Sequence, residues 1–238
     1  MQNTLKIQIW SDIMCPFCYI GKRRLEAALE QFQYKDAVEI EWKSFQLDAN
    51  FVASPDDNLV DHLAEKYRKD TDWAKEMLAN MTQNAANSGL DFHFDKAIMA
   101  NSLKAHQLLH LAKKYKLGDA LKELLLKAYL TDGKDVNDNN TLLDLGLAAG
   151  LPSTEIEEVL SSDKYVDEVR ADIVEANAIG VQGVPFFVFD NKYAVSGAQH
   201  VETFVKTLDK VWDEGDFVKK PQMLNDDSGD SCGIEGCL

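Results

Sequence analysis

Cys15-Pro16-Phe17-Cys18 constrains this chain more than any other segment. Two thiols stand three residues apart, with a proline directly after the first. The run before them, Leu5-Lys6-Ile7-Gln8-Ile9-Trp10, alternates as a strand does, and Trp10 closes it. The run behind them carries Leu25, Ala28, Leu29 and Phe32 at the spacing of an amphipathic helix. That order sets a thiol at the mouth of a helix. Pro16 suits the first helical position, where its missing N–H would lack a partner anyway. Cys15 is then the N-cap, facing free N–H groups and the positive end of the helix dipole. Such sites lower a thiol pKa from about 8.5 to between ~3.5 and ~7.5. Cys18 lies one turn on, within reach of an S–S bond. It is expected to be the more buried and less acidic thiol, suited to resolving a mixed disulfide on Cys15.

A single C-x-x-C is also half of a four-ligand zinc site. The strand before the pair, the proline inside it and the helix behind it favour the redox reading. The sequence therefore predicts dithiol–disulfide exchange.

Val38, Ile40 and Trp42 alternate with Glu39, Glu41 and Lys43 and predict a second strand, completing a strand–helix–strand unit. Helical periodicity then runs from about Leu59 to Ile179, with stops expected at Gly89, Gly118, Gly150 and Gly180. Strand character returns at Val184-Pro185-Phe186-Phe187-Val188-Phe189. Asp190-Asn191-Lys192 supplies a turn into Tyr193-Ala194-Val195, and a last helix covers Val201 to Trp212. The expected organisation is a sheet domain from residues 1–50 and 178–213, an all-helical insertion over 51–177 docked against it, and a flexible acidic tail over 214–238.

Hydrophobic residues at 45% and charged residues at 27% suit a globular protein that needs no disulfide scaffold. A net charge of −15, from 25 basic and 40 acidic side chains, argues against nucleic acid and anionic membranes as partners. No window approaches the ~20 apolar residues of a membrane span. The N-terminus, Met1 to Ile7, alternates like a strand and lacks a signal-peptide pattern, so the expected location is cytoplasmic. There a C-x-x-C pair is more often catalytic or metal-binding than structural.

Pro185 enters a strand, where it cannot donate a ladder hydrogen bond. A cis Val184–Pro185 bond would leave Val184 backbone groups ready to pair with an incoming peptide. A trans proline at the first strand residue is the commoner case, since cis accounts for about 5–6% of X–Pro bonds in folded proteins.

Four stretches resemble the DsbA-type family of the thioredoxin superfamily, and within it the FrnE-like branch. They are Ser11-Asp12-Ile13-Met14-Cys15-Pro16-Phe17-Cys18-Tyr19-Ile20-Gly21, Asn101-Ser102-Leu103-Lys104-Ala105-His106, Gly180-Val181-Gln182-Gly183-Val184-Pro185-Phe186-Phe187-Val188 and Ser196-Gly197-Ala198-Gln199. The resemblance covers about residues 5–212. It implies an α/β thioredoxin-like fold interrupted by an all-helical domain, with Cys15 as nucleophile, Cys18 as resolving thiol and Pro185 as a cis-proline beside them. Pro16, Phe17 and Val184 are then the residues that meet substrate, a cysteine-containing protein or a small thiol. Strongly oxidising relatives carry Pro-His between the cysteines. Phe17 brings no imidazolium, so a couple nearer to thioredoxin's potential than to DsbA's (about −120 mV) is expected.

Cys232-Gly233-Ile234-Glu235-Gly236-Cys237 forms a second pair, and FrnE-like proteins resemble the chain here too. Three roles are open to it: a redox relay to Cys15 and Cys18, two thiolate ligands for a metal, or incidental thiols. A glutathione-dependent isomerase or kappa-class-like transferase on the same fold is a rival enzyme, but such relatives carry serine at the first cysteine. A metal-binding or chaperone module using both pairs is the non-enzymatic rival. His106 and His110 have metal-pair spacing without a HExxH pattern, and read as helix-surface or core residues. Lys22-Arg23-Arg24 reads as a solvated helix face, and Phe186, Phe187, Phe189 and Trp42 as core. No P-loop or dinucleotide fingerprint is present, and neither a cofactor nor a metal is expected.

Overall fold

A computed structural model describes residues 4–54 and 57–217. Four strands form one sheet in the order β2-β1-β3-β4. β1 (Leu5–Ser11) runs parallel to β2 (Val38–Ser44), with Ile7 opposite Ile40 and Ile9 opposite Trp42. Parallel neighbours need a crossover, and α1 (Pro16–Gln31) supplies it. β3 (Phe186–Phe189) lies antiparallel on the other side of β1, and β4 (Tyr193–Ser196) completes a hairpin with it. The turn between them holds Asp190 at φ 48° and Asn191 at φ 53°, a left-handed backbone that these two residue types tolerate best after glycine.

Strand alternation sends Leu5, Ile7, Ile9, Phe187 and Phe189 to one face, where α1 and α9 (Val201–Glu214) cover them. α9 presents Phe204, Leu208, Val211 and Trp212 at helical spacing. Each such burial stabilises by about 1.5–3 kcal/mol. The opposite face carries Trp10, Phe186 and Val188 against Ala176 of α8 (Val166–Ala178) and Val181. Trp10 Nε1 donates to the Asp172 carbonyl at 2.9 Å, so the indole is satisfied inside the core.

Between β2 and α8 lie α2 (Leu59–Tyr67), α3 (Thr71–Ala86), α4 (Leu103–Lys114), α5 (Gly118–Leu130), α6 (Asn139–Ala148) and α7 (Ser153–Leu160). Gly89, Gly150 and Gly180 follow helices with positive φ, as expected stops do. Gly118 departs from expectation. It opens α5 instead, and the left-handed residue after α4 is Lys116 at φ 57°.

α1 is the wall shared by two cores. Leu25, Ala28 and Phe32 pack with the sheet and α9. Ile13, Cys15, Cys18, Tyr19 and Ile20 pack instead with Leu108, Leu125 and other residues of the helical region. This double burial overturns the reading of Lys22-Arg23-Arg24 as a solvated face. Lys22 is buried and pairs with Glu26, Glu123 at 3.0 Å and Asp119 at 3.4 Å. Arg23 Nη1 donates to Glu123 at 2.9 Å, and Arg24 reaches Asn84 Oδ1 at 2.9 Å and the Ala198 carbonyl at 2.5 Å. Buried cations need such partners, so the three residues bind α1 to α3, α5 and the β4–α9 loop. Among the described residues no helix is long and apolar enough to cross a membrane.

Candidate active site

Cys15 is the N-cap of α1, with extended backbone at φ −88° and ψ 113°, and Pro16 follows at the first turn. The cap is made by backbone: Cys18 N–H donates to the Cys15 carbonyl at 3.0 Å, and the Cys15 side chain makes no capping hydrogen bond. Its sulfur also meets the segment before β3. Cys15 Sγ lies 3.5 Å from the Val184 carbonyl, where the thiol can donate. The Val184–Pro185 peptide is cis, and Gly197 N–H holds the Pro185 carbonyl at 2.8 Å. Two chain segments 169 residues apart thus meet at one sulfur atom.

The thiols are more alike in exposure than expected. Cys15 is 4% exposed and Cys18 1%, because the helical region packs over the start of α1. Cys15 nevertheless borders a cleft of about 290 Å³, together with Pro16 and Phe17. Phe17 is 42% exposed at its rim. The cleft is mostly apolar, with Leu59, Leu63 and Tyr67 from α2, Met77 and Met81 from α3, and Phe94 and Met99 beyond. Of six methionines in the chain, Met14, Met77, Met81 and Met99 line it. A shallower hollow of about 430 Å³ continues past Phe17 along α3.

The acidity of the pair differs from the sequence expectation. Hydrogen-bonded to each other, the two thiols titrate as one unit, in which the first ionisation leaves one proton between two sulfurs. Burial raises Cys18, but the hydrogen bond from Cys15, the Lys122 ammonium and Ser11 together bring it below the usual thiol range. The hydrogen bond to that thiolate, then burial and the Cys18 charge, push Cys15 well above it. When the pair ionises, its charge therefore sits toward Cys18, and the order of acidity expected for the two thiols is reversed. Among the causes that lower Cys18, the hydrogen bond from Cys15 comes first and the Lys122 ammonium second, and the motif itself could not announce Lys122.

Two more buried polar residues flank the pair. Asp12 accepts the Leu47 N–H at 2.8 Å and lies 3.4 Å from His106 Nε2. Burial alone would raise its carboxyl, but His106 and Leu47 hold it below the usual range. Burial keeps the His106 imidazole below its ordinary value, against the pull of Asp12. His110, one turn on, faces Asp172 at 3.2 Å and Ser44 Oγ at 3.1 Å. The two histidines are core residues answering two different acids. Among the described residues no three His, Cys, Asp or Glu side chains come together as a metal site.

The structure thus brings Cys15, Cys18, Pro16, Phe17, Val184 and Pro185 to one place. Cys232 and Cys237 lie outside the described residues. Sequence reasoning gave no role to Lys122, Asp12 or the methionines. A signal for Lys122 existed: it shares a helical row with Leu125, Leu126 and Tyr129, so it had to be buried if they were.

The fold and the dithiol at a helix N-terminus define a protein of the thioredoxin type. Residues 6–209 match the DSBA-like thioredoxin domain family, and the chain belongs to it. It is similar to a probable DsbA oxidoreductase from Streptomyces coelicolor, with 38% identity, a TM-score of 0.82 and 98% of each chain covered. It also resembles the uncharacterized protein YwbO of Bacillus subtilis, 25% identical, with 86% of this chain and 96% of that one aligned. The cytosolic disulfide reductase DsbM from Pseudomonas aeruginosa shares the fold at 15% identity and a TM-score of 0.62, over 88% of this chain and 100% of that one. Family and fold make this chain a thiol–disulfide oxidoreductase in the general sense.

Proposed function

We propose that the protein exchanges disulfides with protein substrates through a mixed disulfide on Cys15, resolved by Cys18. The observation that carries this reading is the position of Cys15 Sγ, at the edge of an apolar cleft and 3.5 Å from the Val184 carbonyl. A substrate cysteine seated there meets a thiol whose proton is shared with its neighbour. As substrate enters, the proton passes to Cys18 and the charge to Cys15. Cys15 thiolate attacks one sulfur of the substrate disulfide, and the other leaves as thiolate. Cys18 then passes its proton to the substrate thiolate released in the first step and attacks Cys15 Sγ. The Cys15–Cys18 disulfide closes and the second substrate sulfur departs. A dithiol reductant resets the pair, and every step runs in reverse when substrate is the dithiol.

Phe17 and the methionine-lined walls suit an unfolded segment better than a small thiol. Unbranched, polarisable side chains adapt to varied apolar partners. The proposed compartment is the cytoplasm. Cys232 and Cys237 are proposed as a relay on the same chain, passing disulfides to and from the Cys15–Cys18 pair.

Insulin reduction with thiol trapping tests the reading. Cys15→Ser should be inactive, and Cys18→Ser should accumulate a mixed disulfide that nothing resolves. Full activity in Cys15→Ser would remove the mechanism. The relay predicts slower turnover at unchanged stability when Cys232 and Cys237 are both serine.

A further inference from the structure

Lys122 has no access to solvent. Its ammonium makes one long hydrogen bond, to the Ser11 carbonyl at 3.4 Å, and stands 5.3 Å from the Trp42 ring centroid. Among the described residues no carboxylate lies within 4 Å of it, although other lysines of the interior have such partners, Lys22 and Lys43 among them. A lysine is almost never fully buried unless paired, because an isolated buried charge is costly. The interior must therefore offer Lys122 an anion of another kind. Facing it are Cys15, Cys18 and Lys22 from α1, Asp12 from the β1–α1 loop and His106 from α4. Lys22 is a cation with its own carboxylates, and His106 is held toward its neutral form. Asp12 accepts the Leu47 N–H, lies 3.4 Å from His106 Nε2 and acts on Lys122 only from beyond ion-pair distance, after Cys18. The thiols are the facing anions that a redox cycle creates and removes.

We propose that Lys122 is the counter-charge of the redox pair: its ammonium balances the negative charge of the reduced Cys15–Cys18 pair and loses that partner when the pair closes to a disulfide. The inference rests on the reading of Cys15 and Cys18 as a cycling dithiol. Lys122 acts through Cys18 and is a positioning residue, not a catalytic one. Burial pushes its ammonium down to about 8, and the charges of Cys18, Asp12 and Cys15 oppose that fall. Once the disulfide forms, the opposition from the thiols disappears and Lys122 gives up its proton more easily. The cation that Phe17 could not supply is thus delivered by α5, and it favours the reduced form.

The electron and proton balance gives the test. Reduction of the disulfide by dithiothreitol takes two electrons, and dithiothreitol closes to its own disulfide. Where Lys122 is already an ammonium, one proton is taken up, yielding one thiol and one thiolate. Where Lys122 is an amine in the oxidised protein, a second proton goes to its Nζ. Each proton is a tenfold change in the equilibrium constant per pH unit, or about 30 mV for a two-electron couple.

The experiment is equilibration of the full chain with dithiothreitol from about pH 6 to about pH 10, with thiolate absorbance followed in parallel. The wild-type potential should steepen from about 30 to about 60 mV per pH unit above neutrality. Thiols ionising in the reduced state can only flatten such a plot as pH rises. Lys122→Met should lose the steepening and become about tenfold harder to reduce near neutral pH. Lys122→Arg, which keeps the charge but does not titrate, should stay near the wild-type potential there without steepening. Asp12→Asn should keep the steepening.

A wild-type slope that never steepens overturns the inference, and this reading needs no variant to fold. A folded Lys122→Met with wild-type potential and slope overturns it too, as does loss of the steepening in Asp12→Asn. Failure of the wild type to form any disulfide with oxidised dithiothreitol overturns the redox reading along with it. A disulfide that forms but ignores Lys122 overturns the inference alone.

Discussion

Gly21 and Pro185 touch with no room for a methyl group between them. A Cβ on Gly21 would come within 2.9 Å of Pro185 Cγ and 3.1 Å of Phe187 Cζ. The helix that carries both thiols is therefore seated directly on the loop that meets Cys15. Gly21→Ala gains helix propensity worth about 1 kcal/mol. It also overpacks a rigid ring, at a cost of about 1–3 kcal/mol. The expected net result in urea unfolding is a loss of about 1 kcal/mol, with a larger fall in exchange activity as Cys15 is pushed off Val184.

Asp172 joins α8 to the edge strand. Its carboxylate accepts Ser44 N–H at 2.8 Å and lies 3.1 Å from Lys43 and 3.2 Å from His110. Burial works against the charged form, but His110, Ser44 and Lys43 bring the carboxyl down to about 2. A depressed carboxyl stabilises the fold above its unfolded pKa of about 3.9, and that contribution is lost as pH falls through the folded value. Asp172→Asn should cost about 1–3 kcal/mol at neutral pH. Thermal melts of variant and wild type should converge as pH approaches 2.

Asn101 explains part of the Asn101–His106 stretch. Its Oδ1 accepts Leu103 N–H at 2.9 Å and Gln46 Nε2 at 3.0 Å, and its Nδ2 donates to the carbonyls of Ala49 and Phe51 at 3.2 and 3.0 Å. One amide thus ties the segment after β2 to the start of α4. Asn101→Ala should lower stability by about 1–2 kcal/mol through the unpaired Leu103 N–H and the unpaired carbonyls. Limited proteolysis near Phe51 should quicken, while Asn101→Asp should recover the bond from Leu103 N–H and not those to the two carbonyls.

Met81 tests the substrate preference. Met81→Gln places a polar amide in the wall of the cleft, where it has to be desolvated whenever an apolar side chain docks. KM for a reduced, unfolded protein should rise about tenfold, matching the ~1.4 kcal/mol of one decade. Reaction of Cys15 with a small aromatic disulfide should stay within about twofold of wild type. Equal losses on both substrates would assign the cleft a merely structural part.

The first strand, the thiol-bearing helix and the second strand were legible because each has a clean period, and the residues after Pro185 because their apolar run is short and bounded. What escaped was set by the partner of each face. Val166–Ala178 reads as one more helix, but it lies on the sheet through Asp172 and Ala176. Glu214 and Phe217, expected to belong to the tail, are packed: α9 extends to Glu214, and Phe217 stacks on Trp212 at 4.6 Å. From sequence, Lys22 reads as part of a solvated face and Lys122 receives no role. Only the meeting of α1 with α5 turns them inward, and amphipathic spacing in one helix does not reveal which second helix will cover it.

One apolar core runs without a break from Ile13, Tyr19 and Ile20 into the helices that follow β2. Trimming this chain to a minimal catalytic fragment by excising those helices would strip the underside of the thiol-bearing helix and leave its leading turn wet. Anyone transplanting the two-cysteine motif into another scaffold would have to carry the helical half along, because here it serves as the motif's floor.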